Sequence, residues 1–461
     1  MEHKENQITH GVIWKQLLLY FFPLLFGSFF QQLYNTVDAV IVGRFVGKEA
    51  LAAVGGSSAV LVNYFVGFFG GLAGGASVVI SQFYGAQQER NVRDAVHTSL
   101  AISVAGGILF TLIGLIGAPA AVRAMGTPAA TVADSVLYLR IFFAGMVPNL
   151  VYNMGAGILR AVGDSKRPLY VLIVSCICNI VLDLLFVVGL HMGVAGVAIA
   201  TILCQTISAF LVLRILMRST DSFRFIPKQL KFTRNMLGRI IAMGLPTAIQ
   251  STMYSFSNII IQAAINGFDT DAVSAWAAIG KVDAIYWMLI NSFGIAITTF
   301  VGQNYGAGSI ARVRSSIRQS VLITSVMTVV VSLFLYFPGT HLLYLFTNDA
   351  DVVRIGTYMM RHLVSFYITY FAIEVFSGAL RGMGNSFMPM IITIGGVCVL
   401  RIVWLAVMLP GHHTLATVMA SYPTSWVTSS LLLAGYYLLY MKKHHLLRVL
   451  NEEASPAPRA E

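Results

Sequence analysis

The sequence predicts an all-α polytopic membrane protein with twelve transmembrane helices in two pseudo-symmetric six-helix lobes. An apolar composition, a series of long apolar segments and an internal repeat support this prediction. Of the 461 residues, 57% are hydrophobic and only 11% are charged, whereas about a quarter of the residues of a soluble domain carry charge. The composition therefore excludes an ordinary soluble globular protein.

Twelve segments are long and apolar enough to cross a bilayer, which takes about 20 mostly apolar residues. They lie near 16–42, 51–80, 95–117, 132–153, 169–190, 194–216, 239–265, 273–300, 317–338, 353–378, 389–409 and 414–440. We interpret the first as a spanning helix and not a secretory signal peptide, because it is too long and contains polar residues such as Gln31 and Asp38.

The distribution of positive charge predicts the orientation of the chain. An even number of spans places both ends on one side, and most Lys and Arg residues fall in segments on that side. The opposite side holds only Arg44, Lys48, Arg123 and Arg354. Because basic residues collect in cytoplasmic loops, we predict a multi-pass protein of the cell (inner) membrane with both termini cytoplasmic. The net charge of +11 then reflects topology, and no nucleic-acid partner is expected.

The two halves of the sequence resemble each other. "SQFYGAQ" (81–87) matches "GQNYGAG" (302–308), and "GILRAVGDSKRP" (157–168) matches "GALRGMGNSFMP" (378–389), both 221 residues further on. Six spans separate the copies, so both have the same orientation. Parallel repeats of this kind are typical of transporters, whose substrate and ion sites lie near the middle of the membrane.

The repeat and the one long basic connection predict the domain boundaries. We place an N-lobe at 1–216, a cytoplasmic basic linker at 217–238, a C-lobe at 239–440 and a cytoplasmic tail at 441–461.

The acids inside the predicted spans are the first candidates for a functional site, because a carboxylate at mid-bilayer costs at least about 2.5 kcal/mol. Asn179 and Asp183 are four residues apart and share one face of the fifth helix. Thr201 faces them across a short turn, and Asp38 lies on the first span. These oxygens suit Na⁺, a hard cation. They also suit H⁺, because two close carboxylates cannot both be ionised cheaply. The alternative is a hydrogen-bond network that only locks the helices together.

The second half lacks this set of residues. At the 221-residue offset, Asn179 corresponds to Leu400 and Asp183 to Trp404. Its spans carry two acids and two bases instead, which suit either a C-lobe transport site or an internal ion-pair network: Lys281, Asp283, Glu374 and Arg401. Of these, we expect Glu374 to lack a dedicated partner.

Aromatic and amide side chains on several spans suit a cavity for flat apolar cations, through ring faces and cation–π attraction. Ordinary packing is the alternative for each of them. The candidate lining residues are Tyr34, Gln250, Tyr254, Asn258, Tyr286 and Tyr367.

Four stretches of the sequence resemble the multidrug and toxic compound extrusion (MATE) transporters. They are "PLLFGSFFQQLYNTVDAVIVGRFVG", "SQFYGAQ", "LRAVGDSKRP" and "CNIVLDLLFVVGLHMGVAGVAIAT", and the likeness extends over about residues 12–440. It implies a V-shaped pair of six-helix lobes related by a pseudo-twofold axis along the membrane normal. It also assigns Asp38, Asn179, Asp183 and Thr201 to a cation site of the N-lobe. The sequence departs from one branch of the family in span 7. That branch has an acid there that contributes to its C-lobe, whereas this span has Gln250 and no acid.

The resemblance further implies a secondary active antiporter that exports organic cations and drugs in exchange for inward Na⁺ or H⁺, by alternating access. We expect no enzymatic activity, no cofactor other than the coupling ion, membrane lipids as surroundings and function as a monomer. One alternative is a lipid-linked oligosaccharide flippase of the same superfamily, which would need a basic cavity. Another is a membrane-embedded lipid-phosphate transferase, which would need clustered His, Asp or metal ligands at a membrane face.

Overall fold

The computed structural model describes residues 7–444, and these are almost entirely helical. Twelve long helical segments follow one another in chain order. They are α1 (Ile13–Val46), α2 (Lys48–Gly85), α3 (Glu89–Ala124), α4 (Ala129–Ala144 and Met146–Ala161), α5 (Lys166–Gly189), α6 (Gly193–Arg218), α7 (Arg234–Ile265), α8 (Thr270–Gly306), α9 (Ile310–Tyr336), α10 (Ala350–Ser365 and Tyr367–Gly382), α11 (Phe387–Met408) and α12 (Leu415–Lys443).

The length and composition of these segments confirm the prediction of a multi-pass membrane protein. Eight are individually long and apolar enough to cross a membrane, and α4 and α10 qualify when each bent pair of helices is taken as one span. The remaining two, α7 and α12, have 32 and 29 residues and complete the predicted set.

The described residues form two compact units. One contains 19–248, and the other contains 7–18 together with 249–444. The divisions fall inside α1 and α7, so these helices begin in one unit and continue in the other. The lobe boundaries at 216 and 239 remain a prediction. The predicted tail, 441–461, lies outside the described residues from position 445 onward.

The repeat is visible in the backbone. Gln87 and Gly308 both have left-handed backbone conformations, with φ of 55° and 73°. Gly163 and Gly384 do the same, with φ of 93° and 90°, and each pair is 221 residues apart. The bends of α4 and α10, by 53° and 48°, occur at matching positions too. The two halves therefore share backbone geometry as well as sequence.

The basic linker before α7 is packed against the unit of residues 19–248. Phe223 and Phe225 are buried, and the amide of Ile226 donates a hydrogen bond to Nε2 of His97 on α3, at 3.1 Å. A ring nitrogen that accepts leaves the other to donate, and Nδ1 of His97 lies 2.7 Å from the carbonyl of Arg93. The sequence predicts only a cytoplasmic basic linker here, and the structure shows that this segment also docks on α3.

A candidate cation site in the first half

The backbone of α1 and α5 departs from α-helical geometry next to an acid. In α5, a π-helical segment, Leu184–Gly189, begins directly after Asp183. In α1, a second one, Val42–Val46, begins four residues after Asp38. The two segments contact each other. Such π-helical turns are found frequently at functional sites, and their contact brings the ends of α1 and α5 together.

The side chains of the first, fifth and sixth helices converge beside these segments. The side chain of Asp38 lies beside those of Asp183 and Asn179. Asn179 and Asp183 are completely buried, and Thr201 on α6 is 5% exposed. The Thr201 hydroxyl donates to the carbonyl of Val197, one turn earlier in its own helix, at 3.0 Å. Its oxygen keeps lone pairs that can accept from or coordinate a ligand.

Most polar atoms of this cluster have no hydrogen-bond partner in the protein. Both carboxylate oxygens of Asp183, both amide atoms of Asn179 and Oδ1 of Asp38 are buried and unpartnered. Leaving a buried polar group unsatisfied costs about 1–3 kcal/mol, and more for a charged one. The oxygens among these atoms fit a small hard cation, which prefers carboxylate and amide oxygens. They fit a proton shared by the carboxylates equally well.

Within residues 7–444, no basic side chain forms an ion pair with these acids. Four ion pairs join residues within 7–444, and neither Asp38 nor Asp183 belongs to any of them. The acids therefore need a positive charge that the described part of the chain does not provide.

Two tyrosines complete the surroundings of the cluster. Tyr34, one turn before Asp38, interacts with Thr201 and electrostatically with Asp38, so it belongs beside the acids. Tyr138 on α4 is 9% exposed and interacts electrostatically with both acids. No pattern in the sequence singles out Tyr138, because one aromatic residue on an apolar span cannot be distinguished from ordinary packing.

Comparison with known proteins places the chain in a family. The MatE family model matches residues 23–185 and again residues 246–408, so one model covers both halves at an offset of 223 residues. The chain belongs to the MatE family.

Individual relatives are similar over most of their length. The probable multidrug resistance protein YoeA of Bacillus subtilis is 28% identical over 450 residues, 95% of this chain and 96% of that protein. The probable multidrug resistance protein NorM of Thermotoga maritima is 25% identical, with 84% of each chain covered. A structure of a multidrug resistance MATE transporter in an outward-facing conformation matches with a TM-score of 0.88 at 23% identity, covering 96% of this chain and 99% of that one.

The acids in the second half of this MatE chain find partners within the fold. Asp283 accepts hydrogen bonds from Nε1 of Trp287, at 2.6 Å, and from the hydroxyl of Tyr367. Glu374 forms an ion pair with Arg381 at 3.3 Å. The expectation that Glu374 lacks a dedicated partner is therefore wrong. Arg381 lies seven residues away, two helical turns further along α10, so the sequence alone does not single it out as the partner of Glu374.

One of the two sequence-based predictions pairs Lys281 and Arg401 with the acids of the second half. In the described part of the chain, neither of them forms an ion pair with Asp283 or Glu374. Lys281 is exposed. Arg401 is 3% exposed, donates to Oγ of Ser425 at 3.1 Å and lies over the ring of Tyr422, with 4.2 Å between the guanidinium carbon and the ring centroid. The predicted ion-pair network among the four charged residues does not form here, and a C-lobe transport site stays a prediction.

The predicted cavity residues have different environments. Tyr286 and Tyr367 are each 1% exposed and stack with ring centroids 4.0 Å apart. The structure thus places both in the packed core of their unit, which corrects the expectation that they line a cavity. On α7, Gln250 is buried with its Oε1 unpartnered, Tyr254 is partly buried and Asn258 is exposed. These three remain candidate lining residues.

Proposed function

We propose that this MatE protein is a secondary active multidrug efflux antiporter, which exports organic cations and drugs in exchange for inward Na⁺ or H⁺. The observation that carries the proposal is the pair of acids Asp38 and Asp183: within residues 7–444, both oxygens of the buried Asp183 and Oδ1 of the partly buried Asp38 have no hydrogen-bond partner, and neither acid forms an ion pair. Membership of the family and relatives named as multidrug resistance proteins support the choice of cargo.

The exchange follows from competition between two states of the protein. An ion bound by Asp38, Asp183, Asn179 and Thr201 neutralises the acids and favours one packing of α1, α5 and α6. Drug binding favours a different packing of the same three helices. Each ligand shifts the balance only by its differential affinity for the two states. The π-helical segments next to the acids, together with Gly189 and Gly193 between α5 and α6, are the places where these helices can rearrange.

Charge distribution supports an orientation with both termini in the cytoplasm of the cell that carries the protein in its inner membrane. The docked linker before α7 carries exposed bases such as Lys228 and Lys231, and basic loops remain on the cytoplasmic side during insertion.

Neutral substitutions of the two acids test the proposal. Asp38→Asn and Asp183→Asn keep the size of each side chain but remove its charge, so we expect each to abolish the drug resistance that the wild-type protein confers on a susceptible host. Asp134→Asn, at the start of α4, is the matched control and should retain resistance. If both variants reach the membrane at wild-type levels and resistance is unchanged, the acids do not couple ions to export.

A further inference from the structure

A cavity of about 720 Å³ lies in the unit of residues 249–444, and its lining includes neither of the paired acids. Its walls come from the end of α9, from the connection that follows it and from the first helix of α10. Its lining includes Tyr336, Tyr344, Arg354, Tyr358, Arg361 and His362. No carboxylate lines it, so the cavity is basic and aromatic.

The cationic groups of this cavity are poorly compensated. Arg361 belongs to none of the ion pairs formed within residues 7–444, and its guanidinium carbon lies 5.3 Å from the ring centroid of Tyr336. Nε2 of His362 is buried without a hydrogen-bond partner. Arg354 pairs with Asp351 at 2.9 Å, but both side chains are largely exposed, and an exposed pair leaves most of the charge available to other partners.

The position of Arg361 makes an anionic partner necessary. Arg354 lies at the start of the predicted tenth span, near 353–378, and Arg361 lies seven residues further along it, about 10 Å at 1.5 Å per residue. An arginine at that position in a span is costly unless it reaches an anion or the interface. The phosphate of a phospholipid in the same leaflet is such an anion, and guanidinium binds phosphate oxygens in bidentate fashion.

The surroundings of the cavity suit an amphiphile with acyl chains. Exposed aromatic side chains at its rim, such as Phe337 and Phe346, are typical of the membrane interface. A stripe of exposed apolar residues runs from the rim along α9, at Leu333, Val330 and Val326. Their spacing of three to four residues places them on one helix face, which gives the acyl chains a continuous apolar track.

The other half of the chain supplies an internal comparison. At the 221-residue offset, Arg361 corresponds to Arg140, which is also exposed. Four neighbours differ, because the first half has apolar residues where the cavity has polar or aromatic ones: Leu115 for Tyr336, Ala133 for Arg354, Leu137 for Tyr358 and Ile141 for His362. A fifth, Tyr344, corresponds to Arg123. At the first four positions, only the second half carries polar or aromatic side chains beside the shared arginine.

We propose that this cavity binds the phosphate headgroup of an anionic phospholipid, in the leaflet opposite the termini, with its acyl chains along α9. The assignment of the leaflet follows from the alternation of spans, because α9 is the ninth of twelve. A headgroup without an ammonium group is preferred, because Arg354 and Arg361 would repel the ammonium and no lining acid would attract it.

Native mass spectrometry of the full-length protein in detergent tests this proposal, with phosphatidylglycerol and phosphatidylcholine added at equal concentrations. We expect the wild-type protein to retain phosphatidylglycerol preferentially. Arg361→Gln should weaken this retention about tenfold, since it removes a charged hydrogen bond. Arg140→Gln removes the same charge at the matching position of the first half and should leave retention unchanged.

Two further variants keep the test decisive if Arg361→Gln does not fold. Tyr336→Leu and His362→Ile introduce the residues that the first half carries at these positions, and each should reduce retention of phosphatidylglycerol while thermal unfolding stays cooperative. Equal retention by the wild-type protein and all three cavity variants would overturn the proposal. So would an equal loss in Arg140→Gln, or complete displacement of the lipid by inorganic phosphate at the same concentration, which would indicate a site for a soluble anion.

Discussion

At the scale of single residues, the acids of the two halves differ in whether the fold provides them with partners. Asp283 has two donors and Glu374 has Arg381, whereas both oxygens of Asp183 have none. A carboxylate that is satisfied by the protein contributes to stability. One that is buried and unsatisfied destabilises the fold until a ligand arrives, and is therefore suited to binding. This contrast supports the first half as the location of the ion site that we propose.

The Glu374–Arg381 pair gives a test of that contrast. Its side chains are only 17% and 15% exposed, so Arg381→Gln leaves a carboxylate in a mostly buried position without its partner. We expect the free energy of unfolding in detergent to fall by about 1–3 kcal/mol. Glu374→Gln combined with Arg381→Gln should restore much of that loss. If the double variant is as unstable as the single one, the pair does not act as a unit.

The sequence made several residues of the first half candidates, but not their complete set. Asn179, Asp183 and Thr201 could be found from helical spacing and a short turn, and Asp38 from the cost of a charge in the membrane. Tyr138 could not be found from the sequence, because its electrostatic interaction with the acids depends on how α4 packs. In the second half, their aromatic rings made Tyr286 and Tyr367 candidates for a cavity, whereas stacking between two helices buries them.

At the scale of helices, the closest packing joins α2 and the start of α7 within the unit of residues 19–248. A Cβ atom added to Gly75 would lie 2.2 Å from the backbone of Gly244, and one added to Gly71 would lie 2.4 Å from that of Ala248. Both helices therefore place small residues four apart at the crossing, and such residues let membrane helices approach closely.

Adjacent glycines allow this packing to be tested. Gly75→Val must separate the two backbones, so we expect it to lower the free energy of unfolding by about 1–3 kcal/mol and to reduce the yield of folded protein. Gly74→Val is the control, because a Cβ atom there would contact nothing within 4 Å. Equal thermal unfolding midpoints for the two variants would show that the crossing is not as close as the structure indicates.

At the scale of the whole molecule, one family model and one backbone pattern occur twice, while the charged residues differ between the copies. Left-handed residues and helix bends recur at the 221-residue offset, yet the positions of Asn179 and Asp183 are taken by Leu400 and Trp404. The duplicated scaffold thus carries different side-chain chemistry in each half. We infer that coupling to the ion resides in the first half only.

Reconstituted transport tests that inference. In proteoliposomes loaded with a fluorescent organic cation, an imposed Na⁺ or pH gradient should drive flux of the dye. Asp183→Asn should abolish the gradient-driven component, whereas Asp283→Asn should retain it. Dye flux that responds to neither gradient would contradict antiport. Gradient-independent movement of a lipid-linked oligosaccharide would instead indicate a flippase.

The sequence alone determined the number of spans, the repeat and the membrane environment of this protein, because these properties depend on composition and on spacing along the chain. It also identified the acids whose burial needs an explanation. Only the tertiary structure decided which polar groups have partners. It paired Glu374 with Arg381, docked the basic linker on α3 and placed the guanidinium of Arg361 over the ring of Tyr336. Partners are decided by the distance between helices that are remote in sequence, and no local pattern of residues specifies that distance.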